Sequence, residues 1–173
     1  MKYRLVLAVV LSALSYGRVL GQGDVDLDSL DQKIKQHIQS NIPGWTYTRV
    51  EPMTGSSNVL IENWTSSNRG IRISIVPYKS AKAAHDVLLG SFLKYRKHEE
   101  VKGLGNEAYA YGWQGSRLVL RQGRYLVYLS AGYDSDGDPE LRNLDQTEKQ
   151  QRLIQEIKRI NQEFAKHMVT AID

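Results

Sequence analysis

Residues 107–132 read EAYAYGWQGSRLVLRQGRYLVYLSAG, and this stretch decides the fold class. Gln114-Gly115 and Gln122-Gly123 interrupt three β-rich runs. Their glycines can take the positive φ that tight turns need. The spacing predicts three antiparallel strands at 107–113, 116–122 and 124–132, joined as a meander. Upstream, 58–65 (NVLIENWT) and 70–78 (GIRISIVPY) flank the turn-rich Ser66-Ser67-Asn68-Arg69 and predict a hairpin. In the second run Ile71, Ile73 and Ile75 alternate with Arg72, Ser74 and Val76. Period two with β-branched residues means one face is buried. A further short strand is predicted at 45–50 (WTYTRV).

Three helices complete the pattern. From Ser29, the residues Leu30, Ile34 and Ile38 recur at helical spacing, and Pro43-Gly44 ends the run. Ser80 is placed to cap a helix over 81–97, with Ala84, Leu88, Phe92 and Tyr95 along one stripe. Asp145 with Glu148 three residues on has the spacing of a capping box. The long helix it opens carries Leu153, Ile157, Ile160, Phe164 and Met168. The expectation is an α+β fold. It has an antiparallel sheet of about five strands, an N-terminal helix, a covering helix after the second hairpin strand and a long C-terminal helix. Helices confined to one side would leave the other sheet face to solvent or a partner.

Of the 173 residues, 41% are hydrophobic and 24% charged, which excludes wholesale disorder and fits one domain. Residues 1–21 read as a secretory signal peptide, and 22–173 as a single α+β domain. Lys2 and Arg4 precede the apolar Leu5 to Leu14, about half of the ~20 residues that span a bilayer. A retained anchor is the alternative. Removing the segment takes Lys2, Arg4 and Arg18 and no acid, so 20 basic and 19 acidic residues remain and the charge falls from +4 to +1. A near-neutral exported domain gives no basic footprint for nucleic acid. The absence of cysteine excludes disulfides, thiolate metal sites and cysteine nucleophiles.

The run Gly103-Leu104-Gly105-Asn106-Glu107-Ala108-Tyr109 follows a helix entered through Tyr78-Lys79-Ser80-Ala81-Lys82-Ala83-Ala84 and precedes the meander. That order, over about 58–132, resembles a motif of small exported bacterial proteins of unknown function, some of them similar to the PsbP-like fold. The resemblance implies a sheet-and-helix sandwich with an accessory role in the envelope. It implies no catalytic residues.

Two constellations can carry chemistry. Asp134, Asp136 and Asp138, with Asp145 further on, follow the alternating carboxylate spacing of a Ca²⁺ loop, although Pro139 stands where a glycine should turn the chain. The alternative is a solvated acidic turn. The second is a sheet face. Arg72, Arg117 and Arg121 fall opposite the apolar positions of their strands, and Tyr109, Tyr111 and Trp113 share one face of 107–113. Together they have the composition of a recognition surface. The alternative puts the aromatics in the core and leaves the arginines solvated.

No G-x-S-x-G elbow, H-E-x-x-H pair or phosphate loop is present. His37, His85, His98 and His167 each stand alone in sequence. The expectation is an exported, non-enzymatic binding or accessory domain with a protein or glycan partner and no cofactor, calcium at the acidic loop being the alternative. The alternatives are a secreted hydrolase-like enzyme whose site is assembled only in the fold, and a structural envelope protein associating through its C-terminal helix.

Overall fold

The computed structural model describes residues 25–52, 58–135, 138–141 and 144–173. The predicted signal segment lies outside them. Helix α1 spans Leu27–Asn41; its N-cap Asp26 accepts hydrogen bonds from the backbone of Asp28 and Ser29. Strands β1 (Thr46–Arg49), β2 (Leu60–Ser66) and β3 (Arg69–Pro77) form one antiparallel meander. Strands β4 (His98–Glu100), β5 (Glu107–Tyr111), β6 (Arg117–Gln122) and β7 (Tyr125–Tyr133) form a second. The two meanders join where β3 pairs antiparallel with β7, so the order is β1-β2-β3-β7-β6-β5-β4.

Among the described residues the sheet therefore has seven strands rather than about five. The strand with no sequence signal is β4. It reads His98-Glu99-Glu100, is wholly exposed and carries no apolar alternation. Charge on such a terminal strand discourages pairing with another chain. The strand expected at 107–113 ends at Tyr111. Gly112, Gln114 and Gly115 all take positive φ, and Trp113 sits on the resulting 3-10 turn.

Helices cover both faces, not one. On the first face Leu60, Trp64, Ile71, Ile73, Ile75, Leu118, Leu120, Val127 and Leu129 pack with Ile34 and Ile38 of α1 and with helix α3, Gln146–Ile172. The predicted capping box at Asp145 and Glu148 is present. Phe164 of α3 meets the ring of Trp45 edge-on at 4.8 Å and lies 6.0 Å from that of Trp64. Each such buried aromatic contributes roughly 2–3 kcal/mol. The buried line of α3 begins at Ile154, while Leu153 and Ile157 are half-exposed. Asn161 is buried in it and satisfied: its Oδ1 accepts from Ala131 N and its Nδ2 donates to Ser116 O, which fixes α3 against β7 and the start of β6.

On the second face lie α2 (Ala81–Val87) and a π turn, Leu88–Leu93. Ala84, Leu88, Phe92 and Leu93 pack over Val119, Leu126, Tyr109, Tyr111 and Tyr128. Ala84, Leu88 and Phe92 of the expected stripe are buried, but the helical run ends at Leu93 rather than 97, so Tyr95 falls in the turn beyond it. Leu93 is buried in place of Tyr95, which is 84% exposed. Among the described residues no helix is long and apolar enough to cross a membrane.

Candidate functional site

The pairing register lines up one residue from every strand on the second face. Across the sheet the row reads Thr48, Asn63, Arg72, Ser130, Arg117, Tyr111, His98. Helix α2 and the π turn cover Val119, Leu126 and Tyr128 of β6 and β7 and reach the row at Tyr111, where Phe92 packs edge-on at 5.0 Å, while Arg117 and Ser130 of the row stay half-exposed. Among the described residues the β1–β3 end has no such cover. Thr46, Thr48 and Thr65 are exposed there, and Ile61, Asn63, Arg72 and Ser74 are half-exposed. Ser130 stands directly between Arg72 and Arg117 on the neighbouring strands. Neighbouring strands lie about 4.8 Å apart, so the two arginines are about 10 Å apart at Cα.

The three arginines of the expected surface divide. Arg121 is held by Glu107, its cross-strand neighbour, and also donates to Asn106 Oδ1 and Gly123 O. Arg72 and Arg117 make no hydrogen bond or ion pair among the described residues. The methylene stem of Arg117 lies against Gly112. Its guanidinium and that of Arg96 both act on Tyr111, whose hydroxyl is pushed up by burial and partly held back by those two charges. Arg96 is itself committed, stacked 4.3 Å over Phe92 and donating to the Phe92 carbonyl.

The aromatics divide in the same way. Tyr109 and Tyr111 share the second face with the arginines but lie against α2 and the π turn, and Tyr109 meets His98 edge-on. Burial raises the pKa of both. Trp113 leaves the strand and is 54% exposed. The row thus brings Arg72, Arg117 and Tyr111 together with Ser130 and Asn63, and separates them from Arg121 and Trp113.

The Gly103–Tyr109 run has a local physical reason. Gly105 takes φ +58, and a Cβ there would meet the Arg121 carbonyl oxygen at 2.7 Å. Asn106 Oδ1 accepts from Gly123 N at 2.7 Å and so closes the β6–β7 turn. Glu107 accepts from Arg121 and lies 2.9 Å from Nδ1 of His85 on α2. Burial pushes Glu107 up, but its hydrogen bonds to Arg121 and His85 win and hold it below the usual glutamate value.

A buried acid pair lies behind the first face. Glu62 and Asp31 are 0% and 2% exposed. Glu62 Oε2 accepts from Trp64 Nε1 at 2.8 Å, while Oε1 has no hydrogen-bond partner among the described residues. Asp31 accepts from the Tyr47 hydroxyl and lies 3.6 Å from Arg49, whose main partner is Asp28. Burial, with the adjacent Asp31 adding to it, pushes Glu62 up to about 8. No local signal marks this pair, because Asp31 and Glu62 read as polar positions in unrelated elements.

The remaining predicted residues are placed as follows. Asp138 Oδ1 accepts from Glu140 N at 2.9 Å, and Oδ2 from the Tyr133 hydroxyl. The Asp134 amide donates to Asn68 O. Asp136 lies outside the described residues. Among the described residues no group of three metal-ligating side chains occurs. His37 and His167 do not stand alone in the fold, since α1 and α3 bring their ring nitrogens to 3.3 Å. Burial and then His37 lower the pKa of His167. An open depression lies beside the β6–β7 turn, lined by Asn106, Gln122, Gly123, Tyr125, Ile172 and Asp173. Compared with protein-family models, curated proteins and solved structures, the chain matches none.

Proposed function

We propose that the chain is an exported, non-enzymatic binding or accessory domain of the cell envelope or extracellular space, and that it meets a protein or glycan partner through the open half of its second sheet face. The observation that carries this reading is the row Asn63, Arg72, Ser130, Arg117, which holds two guanidinium groups and no carboxylate. Half-buried, partnerless arginines on a rigid sheet are typical anchors of recognition surfaces. Export rests on Lys2, Arg4 and the apolar Leu5 to Leu14. The resemblance of Gly103 to Tyr109 to a motif of small exported proteins supports the accessory role.

A hydrolase-like reading is favoured by one observation. Glu107 orients His85 through Nδ1, and Nε2 has no partner among the described residues. That is how a general base is held. The partner reading is tested by screening the purified protein against arrays of acidic and neutral glycans and envelope proteins. Retention of one class, lost on combined Arg72→Glu and Arg117→Glu and kept on Arg124→Glu at the β6–β7 turn, is the expected result. Retention indifferent to the paired reversal refutes the reading. Turnover of ester or glycoside substrates abolished by His85→Asn supports the enzyme instead.

A further inference from the structure

The geometry points to the Arg72–Ser130–Arg117 row as a site for one oxyanion group: a carboxylate, sulfate or phosphate monoester carried by the ligand. This deepens the reading of the second face as the recognition surface and rests on it. The inference starts from the balance of donors and acceptors. Each guanidinium has five N–H donors and no acceptor. Ser130 and Ser74 add hydroxyls on the same face, and Asn63 adds an amide. No Asp or Glu stands on this face of β2, β3, β6 or β7 beside them; Glu107 faces Arg121 at the far end of β5.

The contrast with other arginines is direct. Arg49, Arg69, Arg121 and Arg159 each have a carboxylate within 4.0 Å. Arg72 and Arg117 have none among the described residues, although both are half-buried and stand two strands apart on one face. Two like charges held that way repel, and a group with several lone pairs and negative charge between them removes the repulsion. Guanidinium forks match the oxygens of carboxylate, sulfate and phosphate in pairs, which an ammonium cannot do. Partial burial strengthens each contact relative to bulk water. Ser130 sits beneath the midpoint and can donate the third hydrogen bond. Arg121 cannot join, because Glu107 already occupies it.

The test is isothermal titration of the purified protein with inorganic sulfate, inorganic phosphate and galacturonate, each matched for ionic strength. Saturable binding of at least one is expected, with the arm that binds separating tetrahedral from planar groups. Arg72→Gln and Arg117→Gln are each expected to weaken it about tenfold or more, since hydrogen bonds to a charged group are the strong ones. Ser130→Asp places a carboxylate between the guanidiniums and is expected to abolish binding while raising the melting temperature. No saturable binding of any of the three at tens of millimolar, or binding unchanged in both glutamine variants, overturns the site. A melting temperature lowered by Ser130→Asp also counts against it. A partner retained through Arg72 and Arg117 without oxyanion binding leaves the recognition face standing and removes only this inference. Loss of both removes the two together.

Discussion

Replacing Glu62 with glutamine should change how stability depends on pH, and the structure sets the sign. Glu62 is fully buried, and its carboxyl is pushed from 4.5 up to about 8. Below about pH 4.5 the folded and unfolded chains are both protonated at this site, and it is neutral in its effect. As pH rises from there to about 8, the unfolded chain gives up its proton and the folded chain keeps it. Stability then falls with rising pH, by about 1.4 kcal/mol per unit in the steep region. Between about pH 5 and pH 8 the loss comes to about 3–4 kcal/mol for a shift of this size. Glutamine preserves the hydrogen bond from Trp64 Nε1, which its carbonyl can accept. It cannot ionise. The assay is urea unfolding of the wild type and Glu62→Gln over that pH range, followed by far-UV circular dichroism. The difference between the two curves cancels the opposite contribution of His167 and any other group common to both. The variant should gain steadily on the wild type as pH rises. Parallel profiles would refute the reasoning and mean that Glu62 ionises in the fold with little penalty.

Other outcomes follow from the packing. Gly105→Ala should cost about 2 kcal/mol or more, because φ +58 and a 2.7 Å approach to Arg121 O both oppose a side chain; thermal unfolding measures it. Phe164→Ala should cost about 3–5 kcal/mol and alter the fluorescence of Trp45 and Trp64, which its ring touches. His167 has its folded pKa lowered by burial and by His37, so its contribution is present above the ordinary histidine value of about 6.5 and is lost as pH falls below it. His167→Asn should therefore flatten the acid limb of the melting profile, and an unchanged limb would contradict the pairing of α1 with α3 through these rings.

How much of this was legible in the sequence follows from which signals are local. The hairpin at Ser66 to Arg69, the meander turns at Gly115 and Gly123 and the caps at Ser80 and Asp145 are each written in a few adjacent residues, and each appears in the structure. Strand β4 was not legible, because His98-Glu99-Glu100 is held by its hydrogen bonds to β5 and by nothing apolar of its own. Nor was the joining of β3 to β7. Any two of these strands can pair, and the choice depends on how α1 and α3 close over one face while α2 closes over the other. That long-range choice also decides the site. Arg72 and Arg117 read as two alternating positions in separate strands. Only the register through Ser130 makes them neighbours, and only Glu107 removes Arg121 from the set. The π turn at Leu88–Leu93 has no sequence mark, and the helical run ends there, two residues before the exposed Tyr95.

The most direct test of the account is the arginine side-chain Nε–Hε NMR spectrum of the purified protein, recorded as an anionic glycan such as polygalacturonate is added. The account predicts that the Arg72 and Arg117 signals move together and saturate, while Arg121 and Arg159, already paired with Glu107 and Glu156, stay in place. Movement of Arg121 or Arg159 with Arg72 and Arg117 unmoved would contradict the second sheet face as the recognition surface.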